Sequence, residues 1–281
     1  MPGMVSGYWQ QVVDGGLRVP TDRDLGELTA ELTTMLGSPD PEERDATAYP
    51  ALATWISRGV YDDLLLGLGD GMARGLVVGL GEAGTDTVFR RSFSALALAG
   101  CVARDNTHRL VPGDKVLEWG DRLADWFLRE VDVRGYVPQQ GWAHAIAHGA
   151  DAIGVLAGSS HLGTPELTVL LDVLADRLTA PASGLLLAGE PDRMAQATMA
   201  VLRRNLVPLG VLEPWIRRVA SVAVASYGAD AHRGYDAEAF LRALHLQVLL
   251  SPHPPSDRHD LVLVLVDALR ASNPDTLAAR R

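Results

Sequence analysis

The residues best suited to chemistry lie close together in "GWAHAIAHGAD", where His144, His148 and Asp151 interrupt a run of Gly, Ala, Ile and Trp. At about 100° per residue, a helix through this stretch puts all three within roughly 60° of one another. Trp142, Ile146, Ile153 and Leu156 then fall on the opposite, core-facing side. Two histidines at i and i+4 can ligate one metal ion such as zinc, and Asp151 supplies a third ligand or orients an imidazole. A metal-free variant makes His148 a general base whose tautomer Asp151 fixes. The glutamate that metalloproteases place between such histidines is absent here. A non-catalytic ligand-binding groove and a purely structural polar stripe therefore remain open beside catalysis. For a metal site, the convergent further ligand is expected from Glu82 or Asp86.

A second cluster, Arg90, Arg91, Ser92 and Ser94 in "FRRSFS", suits either an anion or the carbonyl end of an adjacent helix, and the helix-end reading is favoured. Ser92 has no G-x-S-x-G elbow, which argues against a hydrolase nucleophile. Gly79, Gly81 and Gly84 form a G-x-G-x-x-G, with Asp105 at the offset of a ribose-binding acid. The sequence between them is one helical pattern with no room for a second strand. An interhelical turn capped by Thr85 is the better reading, and no dinucleotide is expected. His245 reads as a hydrogen-bonded core residue, and His253 and His259, which flank a proline loop, as exposed.

Composition narrows the classes. With one cysteine, Cys101 in "LALAGCVA", there is no internal disulfide and no thiolate-clustered zinc site. The only lysine, Lys115, sits in an exposed-looking turn, "VPGDKV", a poor place for Schiff-base chemistry. A formal charge of −10 and a pI near 5.2 disfavour nucleic acid. No apolar run reaches the length of a membrane span and the N-terminus lacks a secretory pattern, so a cytoplasmic location without membrane association is expected.

The elements that must position these residues all read as helices, over 22–36, 41–57, 61–80, 86–104, 114–130, 140–158, 165–179, 191–206, 211–226, 235–250 and 257–271. Asp40 before Pro41, Thr164 before Pro165, and Thr21 supply caps. Helix starts about 19 to 28 residues apart give helix pairs of about 40 to 50 residues, the range of HEAT-like units. The predicted fold is all-α: stacked antiparallel hairpins forming a HEAT-like α-α superhelix, with an α/α toroid as the alternative. One domain over 1–281 is expected, with 1–20 loosely ordered.

"RGYVPQQGWAHAIAHGAD", "GLGEAGTDTVFRRSFSALAL" and "GYDAEAFLRALHLQVLL" resemble a bacterial family known as the domain of unknown function numbered 2785, over about residues 25–272. The resemblance implies an all-helical protein with no assigned activity. By position it marks Trp142, His144, His148 and Asp151, together with Asp86, Arg91 and Ser92. The third element departs from the family pattern around His245. The expected function is a cytoplasmic binding or scaffold module with a groove lined by the 142–158 helix, free to form homo-oligomers. In that reading Trp142, His144, Arg91, Ser92 and Asp86 meet a protein or small-molecule ligand. The alternative is a metal-dependent hydrolase or related enzyme using His144, His148 and Asp151.

Overall fold

Helix N-termini, each with backbone N–H groups to satisfy, set the grammar of this chain. The computed structural model describes residues 7–180, 184–225 and 231–273. Backbone contacts divide the chain into two compact units, 1–152 and 153–281. Residues 1–6 of the expected loose N-terminal segment lie outside the described residues. The rest of that segment carries α1 (Gly7–Asp14), whose Trp9 is buried and donates its indole N–H to Glu31 at 2.7 Å.

In the first unit, α2 (Leu25–Met35) is capped by Asp24, which accepts from the N–H groups of Gly26 and Glu27; Thr21, the expected cap, lies too far upstream. Asp40 caps α3 (Pro41–Glu43) as predicted, but the helix over 41–57 is not regular. A π-helical turn at Arg44–Ala48 separates α3 from α4 (Tyr49–Ser57). Such a turn inserts an extra residue and rotates the face that the next helix presents. Beyond it lie α5 (Leu65–Gly75), α6 (Thr87–His108) and α7 (Gly113–Arg129), with α6 packed on both α4 and α5. Lys115 is in the first turn of α7, paired with Asp70 and Glu118, not in a loop.

The core of this unit is rich in tryptophan. Trp9, Trp55, Trp119 and Trp126 are buried, and each indole N–H finds an acceptor: Glu31, the Leu17 carbonyl, Asp70 and Glu130 respectively. Satisfying the N–H lets a large apolar ring be buried without orphaning its donor. Cys101 is buried, as expected, and burial pushes its thiol up to about 12.

Between α7 and α8 (Ala145–Ala157) lies a feature that helical periodicity hid, a short hairpin of β1 (Tyr136–Val137) and β2 (Gly141–Trp142). The strands are antiparallel, with Tyr136 opposite Trp142. Gln139 and Gly141 both have positive φ at the turn, 68° and 79°. A Cβ on Gly141 would approach Asp45 and Arg44 to 3.0 and 3.1 Å, so glycine serves both conformation and closeness there.

The second unit packs α9 (Thr164–Thr179), α10 (Glu190–Arg203), α11 (Leu209–Ala225), α12 (Ala231–Leu250) and α13 (Arg258–Ser272), with α12 against α10, α11 and α13. At α9 the cap is Gly163, not Thr164, and Glu166 reaches back to the Gly163 N–H at 2.8 Å. Arg204 closes a turn by donating to the carbonyls of Ala157, Ser159 and Leu162. His245 is half-buried, and His253 and His259 are exposed. The fold is all-α, helices packed on neighbouring helices. No described helix is long and apolar enough to cross a membrane.

Candidate functional site

Because α8 begins at Ala145, the predicted stripe is not a stripe on one helix. His148 and Asp151 lie on α8, but His144 precedes it with φ of 47°, the left-handed region that costs a side-chain-bearing residue of order 1 kcal/mol. Hydrogen bonds hold it there: the His144 N–H donates to the Arg134 carbonyl at 3.0 Å, and its carbonyl accepts from the His148 N–H at 2.9 Å. Trp142 is likewise not in the core with Ile146, Ile153 and Leu156, which are buried. It sits on β2 with 44% of its surface exposed. A period-3.6 reading carried through a period-2 segment misplaced it.

The left-handed turn brings five rings into a row. His144 stacks on Trp142 with centroids 4.3 Å apart and planes 24° from parallel. Tyr136, 61% exposed, meets Trp142 edge-on at 5.2 Å. On the other side His148 meets His144 edge-on at 5.8 Å, and Phe93 meets His148 edge-on at 5.2 Å. The row thus runs from the exposed hairpin to the buried face of α6.

Ser92 anchors the inner end. It is buried, and its hydroxyl donates to the Ala143 carbonyl, which can only accept. Ser92 has one proton to give, so the His148 Nδ1, 2.8 Å from Oγ, must carry its own proton and donate it. Neutral His148 is therefore the Nδ1–H tautomer. The partner at this nitrogen is the Ser92 hydroxyl. A serine oxygen already giving its proton to a carbonyl and receiving one from the imidazole is not poised as a nucleophile.

Arg91 is buried against the equally buried Glu130 in a bidentate pair; one of its two contacts is Nη2 to Oε1 at 2.9 Å. Its remaining donors reach the carbonyls of Val78 and Gly79, both at 2.9 Å, the Glu82 carbonyl at 3.3 Å and the Thr87 hydroxyl at 2.9 Å. Arg91 thus secures the turn after α5, which is the helix-end reading of "FRRSFS". Gly79, Gly81 and Gly84 in this turn all have positive φ. Thr85 does not cap α6. Its hydroxyl engages Glu82 and Thr87, and these two hydroxyls hold the Glu82 carboxyl below its ordinary value. Asp105 accepts from the N–H groups of Leu110 and Val111 at 2.7 and 2.8 Å, which commits it to the end of α6.

Four residues that sequence reasoning missed, Asp132, Arg134, Arg44 and Gln140, tie the hairpin to its surroundings. Asp132 accepts from the Gly84 N–H at 2.9 Å and pairs with Arg134, whose guanidinium reaches the Thr85 carbonyl at 2.6 Å. Burial pushes the Asp132 carboxyl up, but the Arg134 side chain and the N–H groups of Gly84 and Arg134 outweigh it and hold the pKa below the ordinary value. From the π-turn, buried Arg44 donates to the carbonyls of Ser38 at 2.7 Å and Gln140 at 2.6 Å, its guanidinium 4.0 Å from the Phe89 ring centroid. Gln140 in turn donates to the exposed Asp86 at 3.0 Å. A buried arginine inside "PEERDA" looks in sequence like any solvated charge, and Gly141 is the residue whose type could have marked the turn of the hairpin.

The structure therefore joins Asp86, Arg91, Ser92, Trp142, His144 and His148 in one hydrogen-bonded and stacked assembly. Asp151 is half-buried on α8 three residues beyond His148. Among the described residues no three His, Cys, Asp or Glu side chains are grouped so as to hold a metal ion. An all-α chain whose helices carry a braced aromatic hairpin is the class these features define. The chain belongs to the family described as Protein of unknown function (DUF2785), whose model matches residues 76–246, a narrower span than the resemblance suggested. Comparison with curated proteins and with solved structures returns no match.

Proposed function

We propose that the protein is a binding module whose ligand docks on the face made by Tyr136, Trp142 and His144. One observation carries this reading. Of the six tryptophans, five are buried with their N–H groups bonded, whereas Trp142 is exposed and its indole N–H meets no acceptor among the described residues. An exposed aromatic ring on a loose loop pays for immobilisation when it binds. Here stacking on His144 and the bracing by Ser92, Arg44 and Asp132 fix the ring beforehand, which favours affinity. Tyr136 and Trp142 together offer a large apolar surface with two hydrogen-bonding tips.

The test is a nuclear magnetic resonance screen of small molecules and short peptides that follows the tryptophan indole N–H signals. Binding that moves the Trp142 signal and disappears in Trp142→Ala, while the melting temperature is kept, supports the module. Stoichiometric transition metal in untagged protein, lost in the His144→Ala, His148→Ala double variant together with a hydrolytic activity, overturns it in favour of a metal-dependent enzyme.

A further inference from the structure

Away from that site, the first unit holds an apolar groove of about 530 Å³ between α2 and α5. The volume falls within the range of small-molecule sites, roughly 300–1,000 Å³. One wall is a stripe of α2, Leu25, Thr29 and Thr33, about 12 Å from end to end. Tyr61 and Met72, both buried, contribute to the lining from within the core. Thr29 gives its proton to the Leu25 carbonyl and accepts from the Tyr61 hydroxyl at 2.9 Å, so these two hydroxyls are satisfied within the wall. Leu64 and Leu66 are left 56% and 40% exposed on the same groove.

The charge of the groove is one-sided. Asp63 is the single charged side chain among the lining residues, it is exposed, and no basic residue of the described chain bonds to it. The neighbouring carboxylate, Asp62, is by contrast paired with Arg104 at 2.7 Å. Two glycines of α5 deepen the space: a Cβ on Gly67 would meet nothing within 4 Å, and one on Gly71 only the tip of Arg74 at 3.8 Å. Glycine inside a helix is destabilising relative to alanine, and no neighbour within the fold requires it at position 67.

From the volume, the apolar lining and the lone carboxylate, we infer that this groove is a binding site for a small molecule with an apolar body of medium alkyl length and a cationic end. The alkyl part lies along α2 over Tyr61 and Met72, and the ammonium group faces Asp63. Burial of apolar surface supplies the affinity, and the exposed carboxylate supplies discrimination of sign, worth up to about fivefold for a surface pair and weakened by salt.

The probes are decylammonium and decanoate, equal in chain length and opposite in charge, titrated below their micelle concentrations into the full chain by calorimetry. One-to-one binding of decylammonium, at least about threefold tighter than decanoate in low salt, is expected. Asp63→Asn should remove the preference and leave the alkyl contribution. Gly67→Leu, which fills open space and raises helix propensity, should abolish binding of both probes without lowering the melting temperature. Equal or tighter binding of decanoate overturns the inference, as does decylammonium binding that Gly67→Leu leaves unchanged. It also fails if neither probe binds, or if sedimentation shows a dimer that Gly67→Leu dissociates, because the groove would then be covered by a second copy.

Discussion

Replacing Arg91 with methionine keeps much of the side-chain volume and removes the guanidinium. The Glu130 carboxylate, fully buried, then keeps the Trp126 indole at 3.0 Å and the Asp132 N–H at 2.9 Å and loses the Arg91 charge that faces it. Breaking one half of a buried pair costs about 3–5 kcal/mol. For a cooperative unit of this size each kcal/mol lowers the melting temperature by about 2–4 °C, so a drop of roughly 6–20 °C is expected by circular dichroism. The Val78 and Gly79 carbonyls also lose their donor, and amide hydrogen exchange should speed up across the turn after α5. Glu130→Gln in the same chain removes the stranded charge while keeping an acceptor for Trp126. The double variant should therefore be more stable than the sum of the single losses by at least about 1 kcal/mol. A melting temperature within 2 °C of wild type, by that ~2–4 °C scale, would refute the reasoning. So would strictly additive losses.

Other expectations are as direct. Long-range ¹H–¹⁵N correlation should find neutral His148 protonated at Nδ1, and an Nε2–H tautomer would contradict the Ser92 proton count. Ser92→Ala should cost about 1–3 kcal/mol by stranding donor and acceptor, and should loosen the stacking of His144 on Trp142. Asp132 has a folded pKa below its ordinary value near 3.8, so the stability it contributes is present above that value and is lost as pH falls through the folded pKa. Asp132→Asn should flatten the loss of stability in acid, and an unchanged slope below about pH 4 counts against the ion pair. Gly149→Ala puts a Cβ 2.5 Å from the Phe127 ring, and a destabilisation of about 1–3 kcal/mol in urea denaturation is expected; neutrality would mean that α8 can shift freely.

The helices were legible because their causes are local. Asp40 before Pro41, the leucine spacing through 164–179 and the burial of Cys101 in an apolar run all arise from neighbours in the chain, and each is found in the structure. Helix ends were less legible. Thr21, Thr85 and Thr164 are good cap types, but Asp24, Asp86 and Gly163 hold the cap positions, because the cap is set by where packing starts the helix. The candidate site was legible as a set of residue types and not as a geometry. Trp142, His144, His148, Arg91 and Ser92 stand out in sequence for their chemistry. Whether Ser92 faced a ligand or the Ala143 carbonyl depended on α6 meeting the start of α8, fifty-one residues on.

Arg44 and Glu130 show the same limit from the other side. In sequence they are charges in polar surroundings, indistinguishable from a solvated face. In the structure both are buried, and they determine where the hairpin and the turn after α5 sit. By itself the sequence determined an all-α chain and the residues able to do chemistry, because propensity, capping types and periodicity act over a few residues. Only the tertiary structure decided that His144 leaves the helix, that Trp142 faces outward and that the Ser92 proton goes to a carbonyl. Those outcomes depend on the hairpin that holds His144 through the Arg134 carbonyl and on the meeting of Ser92 with Ala143 fifty-one residues away, which helical periodicity does not encode.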